Sequence, residues 1–175
     1  MNTRLYFAYG SNLDRERFLA RCPTSTALTW AIWDGMELEF RGVATIVPRH
    51  GGKAYGALYE IGPKDEDALD AYEGVATGFY TKQYADFKLP NGRTEQALWY
   101  EMSDARITAP TLGYLGTIIK GYRDWKLPLR ALRLAVVEAQ RADEMHRRFQ
   151  RGSDNQGRRD RRARSPYESP ALFTY

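Results

Sequence analysis

Two short stretches of the sequence carry residues that could do chemistry. The first is Tyr9-Gly10-Ser11-Asn12-Leu13, which follows an alternating run from Arg4 to Tyr9. The alternation reads as a strand with Leu5 and Phe7 on one face. Gly10 breaks it, and Ser11 or Asn12 is a suitable N-cap for a helix that starts near Asp14. A strand, a tight glycine turn and a helix start leave several backbone N–H groups unpaired and pointing one way. That is the make-up of an anion or oxyanion pocket. Gly10 stands where backbone must approach a ligand closely and where a positive φ is admissible. The second stretch is Tyr72-Glu73-Gly74. Gly74 fits the left-handed position that ends a helix, which leaves Glu73 in the last turn against the negative end of the helix dipole. With Tyr72, Val75, Phe79 and Tyr80 around it, the carboxylate is expected to be desolvated and its pKa raised, as a general base working near neutral pH requires.

The rest of the composition offers no competing chemistry. Cys22 is the single cysteine, so the chain can form no internal disulfide and no cysteine-based zinc site. The two histidines, His50 and His146, have no partner at ligand spacing. No metal and no cofactor are expected. Ser11 has no His or Lys base at a recognisable spacing, which disfavours it as a nucleophile. A base and an oxyanion site without a nucleophile suit a substrate that supplies its own.

The 175 residues fit one domain with a real core. There is neither an apolar run long enough to span a bilayer nor a recognisable signal peptide, and a cytoplasmic protein without membrane contact is expected. The net charge of +4 is uneven: residues 141–175 hold nine Arg against five acids, so the body before them is neutral. This distribution does not favour nucleic acid as a partner of the body. Residues 1–150 are read as the domain and 151–175 as an Arg-rich, flexible tail whose last aromatic residues, from Tyr167, could dock on something.

The elements that must position these residues follow from pattern. Strands are expected at Thr26–Trp33, Met36–Phe40 and Ala44–Val47, with turns at Asp34-Gly35 and His50-Gly51-Gly52. Ala54–Ile61 is the next strand, and Gly56 inside it signals a close backbone approach or a sharp bend. A helix over Lys64–Glu73 has Leu69 and Tyr72 toward the core. Tyr80–Leu89 and Thr94–Tyr100 form a hairpin around Pro90-Asn91-Gly92. Helices are expected at Thr111–Asp124 and from Pro128 to about Phe149. Short strands with inserted helices give an α+β fold with a small, curled, mostly antiparallel sheet.

The residues that carry a family likeness are Tyr9-Gly10-Ser11-Asn12-Leu13, Ala44-Thr45-Ile46 and Tyr55-Gly56-Ala57-Leu58-Tyr59. They continue with Leu69-Asp70-Ala71-Tyr72-Glu73-Gly74-Val75, Gly78, Tyr80, Tyr114 to Ile119, Gly121 and Leu127-Pro128. In this order, from about Leu5 to about Ala139, the chain resembles the γ-glutamylcyclotransferase family. The resemblance implies a barrel-like sheet with flanking helices. It also implies attack by the α-amine of a small γ-glutamyl substrate on its own γ-amide, which releases 5-oxoproline and an amine or amino acid. Glu73 falls on the family's acid/base glutamate, Tyr9 to Leu13 on its oxyanion and carboxylate-holding loop, and Tyr80 and Tyr114 on residues that line the glutamyl pocket. Two alternatives stand beside it: a cyclotransferase of the same fold for a γ-glutamylamine or a biosynthetic intermediate, and a non-catalytic binding module with a basic tail. The oligomeric state is not legible.

Overall fold

A computed structural model describes residues 3–102 and 106–163, with side chains up to Arg151. Five strands close into a barrel in the order β1-β3-β2-β4-β5. They are β1 (Arg4–Ala8), β2 (Thr26–Arg41), β3 (Val43–Ile61), β4 (Tyr80–Lys88) and β5 (Thr94–Met102). Four helices surround them: α1 (Arg15–Arg21), α2 (Pro63–Glu73), α3 (Leu112–Asp124) and α4 (Leu129–Ala163). Every strand pairing is antiparallel except the one that closes the barrel, where Tyr6 of β1 lies beside Leu98 of β5 in parallel. The α+β class and the curled, mostly antiparallel sheet expected from the pattern are what the chain forms. Closure leaves no long unpaired edge.

The barrel differs from the sequence reading in its longest hairpin. Asp34-Gly35 and His50-Gly51-Gly52 are not turns. They face each other across β2 and β3, where the register shifts between Asp34 and Met36 and the ladder resumes at Met36–Pro48. Four expected strands are thus two long, bent ones, and the reversal lies at Gly42, whose φ is +79°. A bulge and a turn draw on the same left-handed glycines, Gly35 at φ +80° and Gly51 at φ +70°, so local sequence does not separate them. The helix expected to stop near Phe149 continues to Ala163. The rest of the Arg-rich stretch, with the proposed docking of its terminal aromatics, lies outside the described residues.

The interior is aromatic. Phe7 stacks on Phe87 at 4.0 Å between centroids, and Phe18 meets the Tyr59 ring at 3.9 Å. Gly56 is the close approach its place in a strand implied. A Cβ there would lie 2.3 Å from Phe7 Cζ and 2.4 Å from the Ala8 carbonyl oxygen. This glycine lets β1 lie flat on β3 just before the Gly10 turn. After that turn, Ser11–Leu13 form one turn of 3₁₀ helix, and α1 is capped by Asp14, which accepts from the Arg17 N–H at 3.3 Å. The cap is therefore Asp14 and not Ser11 or Asn12, because the 3₁₀ turn intervenes.

α3 holds the turn from the other side. The Trp125 indole donates to the Leu13 carbonyl at 3.0 Å, and Lys120 meets Asp14 at 2.6 Å. Between them Gly121 packs on the turn itself, where an added Cβ would stand 2.4 Å from Leu13 Cβ and 2.6 Å from its carbonyl carbon. In a helix interior, Gly→Ala normally gains about 1 kcal/mol in propensity. At Gly121 the obstruction is backbone, so the overpacking cost of about 1–3 kcal/mol is expected to win. Gly121→Ala should lower the thermal midpoint. Gly116→Ala, on the same helix with nothing within 4 Å of the new methyl, should raise it. Thermal denaturation of the two variants side by side checks the sign of each.

Candidate active site

α2 is built to deliver its C-terminal end to the mouth of the barrel. Pro63 opens it, and the buried Asp65 closes its N-terminus by accepting from the Gly62 N–H at 3.2 Å and from the Thr24 hydroxyl at 2.6 Å. Leu69 is fully buried beneath it. Lys82 of β4 bridges Glu66 and Asp70 at 2.6 Å each, and the Tyr100 hydroxyl donates to Asp70 at 2.7 Å. Gly74, at φ +66°, ends the helix in the left-handed conformation expected of it. Glu73 is thereby fixed as the last helical residue, over the Gly10 turn.

The two stretches singled out in the sequence meet there. Asn12, buried at 3% exposure, is the junction: its Nδ2 donates to Glu73 Oε1 at 2.9 Å and to the Tyr6 hydroxyl at 2.9 Å. Its Oδ1 accepts a short hydrogen bond from Arg21 Nη1. Glu73, Tyr9, Gly10, Ser11, Asn12, Tyr80 and Tyr114 line one small pocket, joined by Tyr6, Ala44 and Tyr100. Its free interior is about 20 Å³, room for about one water. A larger depression of about 390 Å³, between the β2–β3 bulge and the start of α4, contains none of the residues singled out as site residues. Size does not identify the chemically equipped site here.

Three expectations need correction. Leu13 belongs to the turn but not to the pocket: its side chain is buried against Gly121, and its N–H donates to the Gly10 carbonyl at 3.0 Å. Among the described residues, the N–H groups of Ser11 and Asn12 at the start of the 3₁₀ turn have no backbone acceptor. Gly10 has φ −107°, so its glycine is not needed for a positive φ. What a side chain there would meet is Ala44 Cβ and the Tyr114 hydroxyl, each at 3.2 Å. Tyr72 does not face the core. It is 46% exposed, its ring carries the Arg21 guanidinium at 3.3 Å, and its hydroxyl lies 3.3 Å from Ser11 Oγ.

The surroundings of Glu73 are therefore more tyrosine-rich than the sequence neighbourhood implied. Burial raises its pKa to about 7, against the opposing pull of Arg21 and the hydrogen bond from Asn12. Its place at the negative end of the α2 dipole acts in the same direction as burial. Burial also holds the hydroxyls of Tyr6, Tyr9 and Tyr80 well above their ordinary value, and pushes that of Tyr114 up to about 12. These phenols stay neutral. Tyr80 donates to the Ala44 carbonyl at 3.0 Å, and Tyr114 accepts from the Ala44 N–H at 3.0 Å. Together they hold the two peptide groups that flank the Ala44 Cα, at the wall of the pocket. Tyr9 donates to the Tyr100 carbonyl at 2.5 Å. Among the groups that line the pocket, only Glu73 is poised to change charge near neutral pH.

Sequence reading missed Tyr6, Arg21, Ala44 and Tyr100 as members of this assembly. Tyr6 was hidden by alternation, which draws the eye to Leu5 and Phe7. Arg21 reads simply as a cation suited to the C-terminus of a short helix. Tyr100 looks like any strand aromatic. Ala44 stands in the Ala44-Thr45-Ile46 run that carries the family likeness, but nothing there shows that its backbone would be held by Tyr80 and Tyr114.

The AIG2-like family model matches residues 53–132, which include β3 from the bulge onward, α2, the β4–β5 hairpin, α3 and the start of α4. A bovine protein named γ-glutamylcyclotransferase is 28% identical over 137 residues, covering 71% of this chain and 73% of its own. The mouse protein of that name is 27% identical over 168 residues, covering 86% of this chain and 89% of its own. A solved structure titled γ-glutamyl cyclotransferase superimposes with a TM-score of 0.69 at 24% identity, over 81% of this chain and 87% of that one. At that identity the superposition speaks for the fold, a closed barrel with flanking helices. With the Tyr-Gly-Ser-Asn turn and the Glu-Gly end of α2 brought together in that barrel, the chain is similar to the AIG2-like family over residues 53–132 and, along most of its length, to proteins named γ-glutamylcyclotransferase.

Proposed function

We propose that the protein is a cyclotransferase that converts a γ-glutamyl amino acid or amine into 5-oxoproline and the free amine, with Glu73 as the acid/base residue. The observation that carries this reading is the carboxylate itself: desolvated, held by Asn12 and raised to about 7, beside a turn whose Ser11 and Asn12 N–H groups have no backbone acceptor among the described residues. The relatives named γ-glutamylcyclotransferase support the reaction class.

The chemistry needs what the pocket holds. The substrate α-amine, with a reference pKa of about 8, is mostly protonated at neutral pH and must lose a proton before it attacks. Glu73 takes that proton. The amine nitrogen then forms a bond to the γ-carbonyl carbon and closes a five-membered ring. Holding the chain curled for this step can be worth several kcal/mol. The developing oxyanion is stabilised by the Ser11 and Asn12 N–H groups. As the amide C–N bond breaks, protonated Glu73 returns its proton to the leaving nitrogen, and the carboxylate so regenerated takes the second proton from the ring nitrogen and passes it to the released amine, which leaves as an ammonium. Nothing else is consumed. Tyr80, whose own proton is engaged by the Ala44 carbonyl, can offer a ligand only an acceptor, which suits the amine end of a glutamyl group. Ser11 contributes its backbone.

Glu73→Gln preserves shape and the acceptor facing Asn12 but cannot take a proton. Release of 5-oxoproline from a γ-glutamyl dipeptide should fall about 10²–10⁴-fold. Turnover near the wild-type level would remove Glu73 from the mechanism. The same variant tests the electrostatics. A carboxyl whose pKa is higher folded than unfolded costs the native state stability as pH rises between the two values, here from about the ordinary 4.5 to about 7. The Gln variant should therefore melt like the wild type below pH 4.5 and above it beyond pH 7. A melting temperature lowered at all pH values would mark Glu73 as structural.

The turn gives a second contrast. Ser11→Ala should retain most activity, since the backbone N–H is what is used. Gly10→Val, forced against Ala44 and Tyr114, should lose much more. Abolition of turnover by Ser11→Ala, with a covalent adduct on wild-type Ser11, would instead make the serine a nucleophile.

A further inference from the structure

Arg21 does not line the pocket, yet it engages the side-chain oxygen of Asn12, the amide that holds Glu73. A side-chain amide has two faces: an oxygen that accepts and a nitrogen that donates two hydrogens. Here the nitrogen serves Glu73 and Tyr6 together, each at 2.9 Å. The oxygen is turned away from them toward the guanidinium, whose Cζ lies over the Tyr72 ring at 3.3 Å from its centroid. Arg21 stands in the last turn of α1, and its donor is always charged. If the amide rotated by half a turn, its oxygen would face Glu73. That arrangement favours a protonated carboxyl, which would then donate to it, and disfavours the carboxylate.

We propose that Arg21 is a positioning residue for the reaction: by engaging Asn12 Oδ1 from a fixed stack on Tyr72, it locks the amide so that Glu73 always meets an N–H and rests as a carboxylate ready to take a proton. The proposal rests on Glu73 being the base. The other groups facing Glu73 do not supply this bias. Tyr6 of β1, Tyr9 just after it, Tyr80 of β4, Tyr100 of β5 and Tyr114 of α3 are all held neutral by burial. Asp70 is turned to Lys82 and Tyr100, and Tyr72 meets Ser11. Arg21 is the cation whose charge opposes the effect of burial on Glu73.

The test reads the carboxyl and the amide directly in the full-length protein. The Glu73 side chain is titrated by NMR with ¹³C-labelled glutamate, its signal assigned by its absence in Glu73→Gln. The exchange of the Asn12 side-chain amide protons is followed alongside. Arg21→Met should raise the Glu73 midpoint by about one pH unit and expose the Asn12 protons to exchange, with the acidic limb of kcat/KM moving up by the same amount. Arg21→Lys keeps a cation but neither the planar stack nor the fork, so it should shift the midpoint less while still freeing the amide. It also serves if the Met variant does not fold. An unchanged Glu73 midpoint and an unchanged amide in a folded variant would overturn the proposal, even if turnover fell. A shifted midpoint with freed amide protons, in a protein whose turnover does not follow Glu73 ionisation, would uphold the role of Arg21 and remove Glu73 as the base.

Discussion

The structure hangs on one buried amide. Asn12 has two hydrogens and one oxygen to offer, and three separate elements take them: Tyr6 of β1, Glu73 of α2 and Arg21 of α1. A buried amide left without partners costs several kcal/mol, so each element is constrained to keep its place. Here a strand from the barrel, the end of one helix and the end of another are brought to a common point within the first quarter of the chain and one later helix terminus. The carboxylate at that point is partly desolvated, and the amide is what makes its ionised form tolerable at all.

Much of the remaining fold serves to bring Glu73 to this amide. The carboxylate sits where its own helix disfavours it, so α2 must be held by other means. Asp65 caps its start, Leu69 anchors its middle, and Lys82 with Tyr100 secures Glu66 and Asp70 on the face toward the barrel. On the opposite side, Gly56 lets β1 lie against β3, and Gly121 lets α3 press on the turn that carries Asn12. Both glycines act through space they leave empty. The two conditions that make Glu73 useful, loss of water and retention of one good donor, are thus produced by packing that does not itself touch a substrate.

What the sequence made legible follows from how local each cause is. Gly74 announced the end of α2, because a left-handed residue there is a local requirement, and with it the awkward place of Glu73. The Gly10 turn was visible for the same reason, although its glycine answers to Ala44 and Tyr114 and not to its own φ. The β2–β3 hairpin was read as four strands because Gly35, Gly51 and Gly42 look alike until the partner strand decides which one reverses the chain. Tyr72 was assigned to the core by helical spacing, whereas the Arg21 stack holds it at the surface. Tyr100 reaches Asp70 from 30 residues away, and Arg21 stacks on Tyr72 from a different helix, so no short window of sequence contains those partners; Tyr6 and Arg21 lie close to Asn12 in sequence, but only the fold turns the three side chains together.

The central claim is that burial and the Asn12 donor together leave Glu73 balanced between its two states near neutral pH, as a proton-transfer group must be. The pH dependence of kcat/KM for the wild-type protein on a γ-glutamyl dipeptide tests this most directly, because it reports the ionisation of the free enzyme. The account predicts a rise of about tenfold per pH unit on the acid side that levels off near pH 7. A profile that is already level above about pH 4.5, the ordinary range of an exposed glutamate, would contradict it.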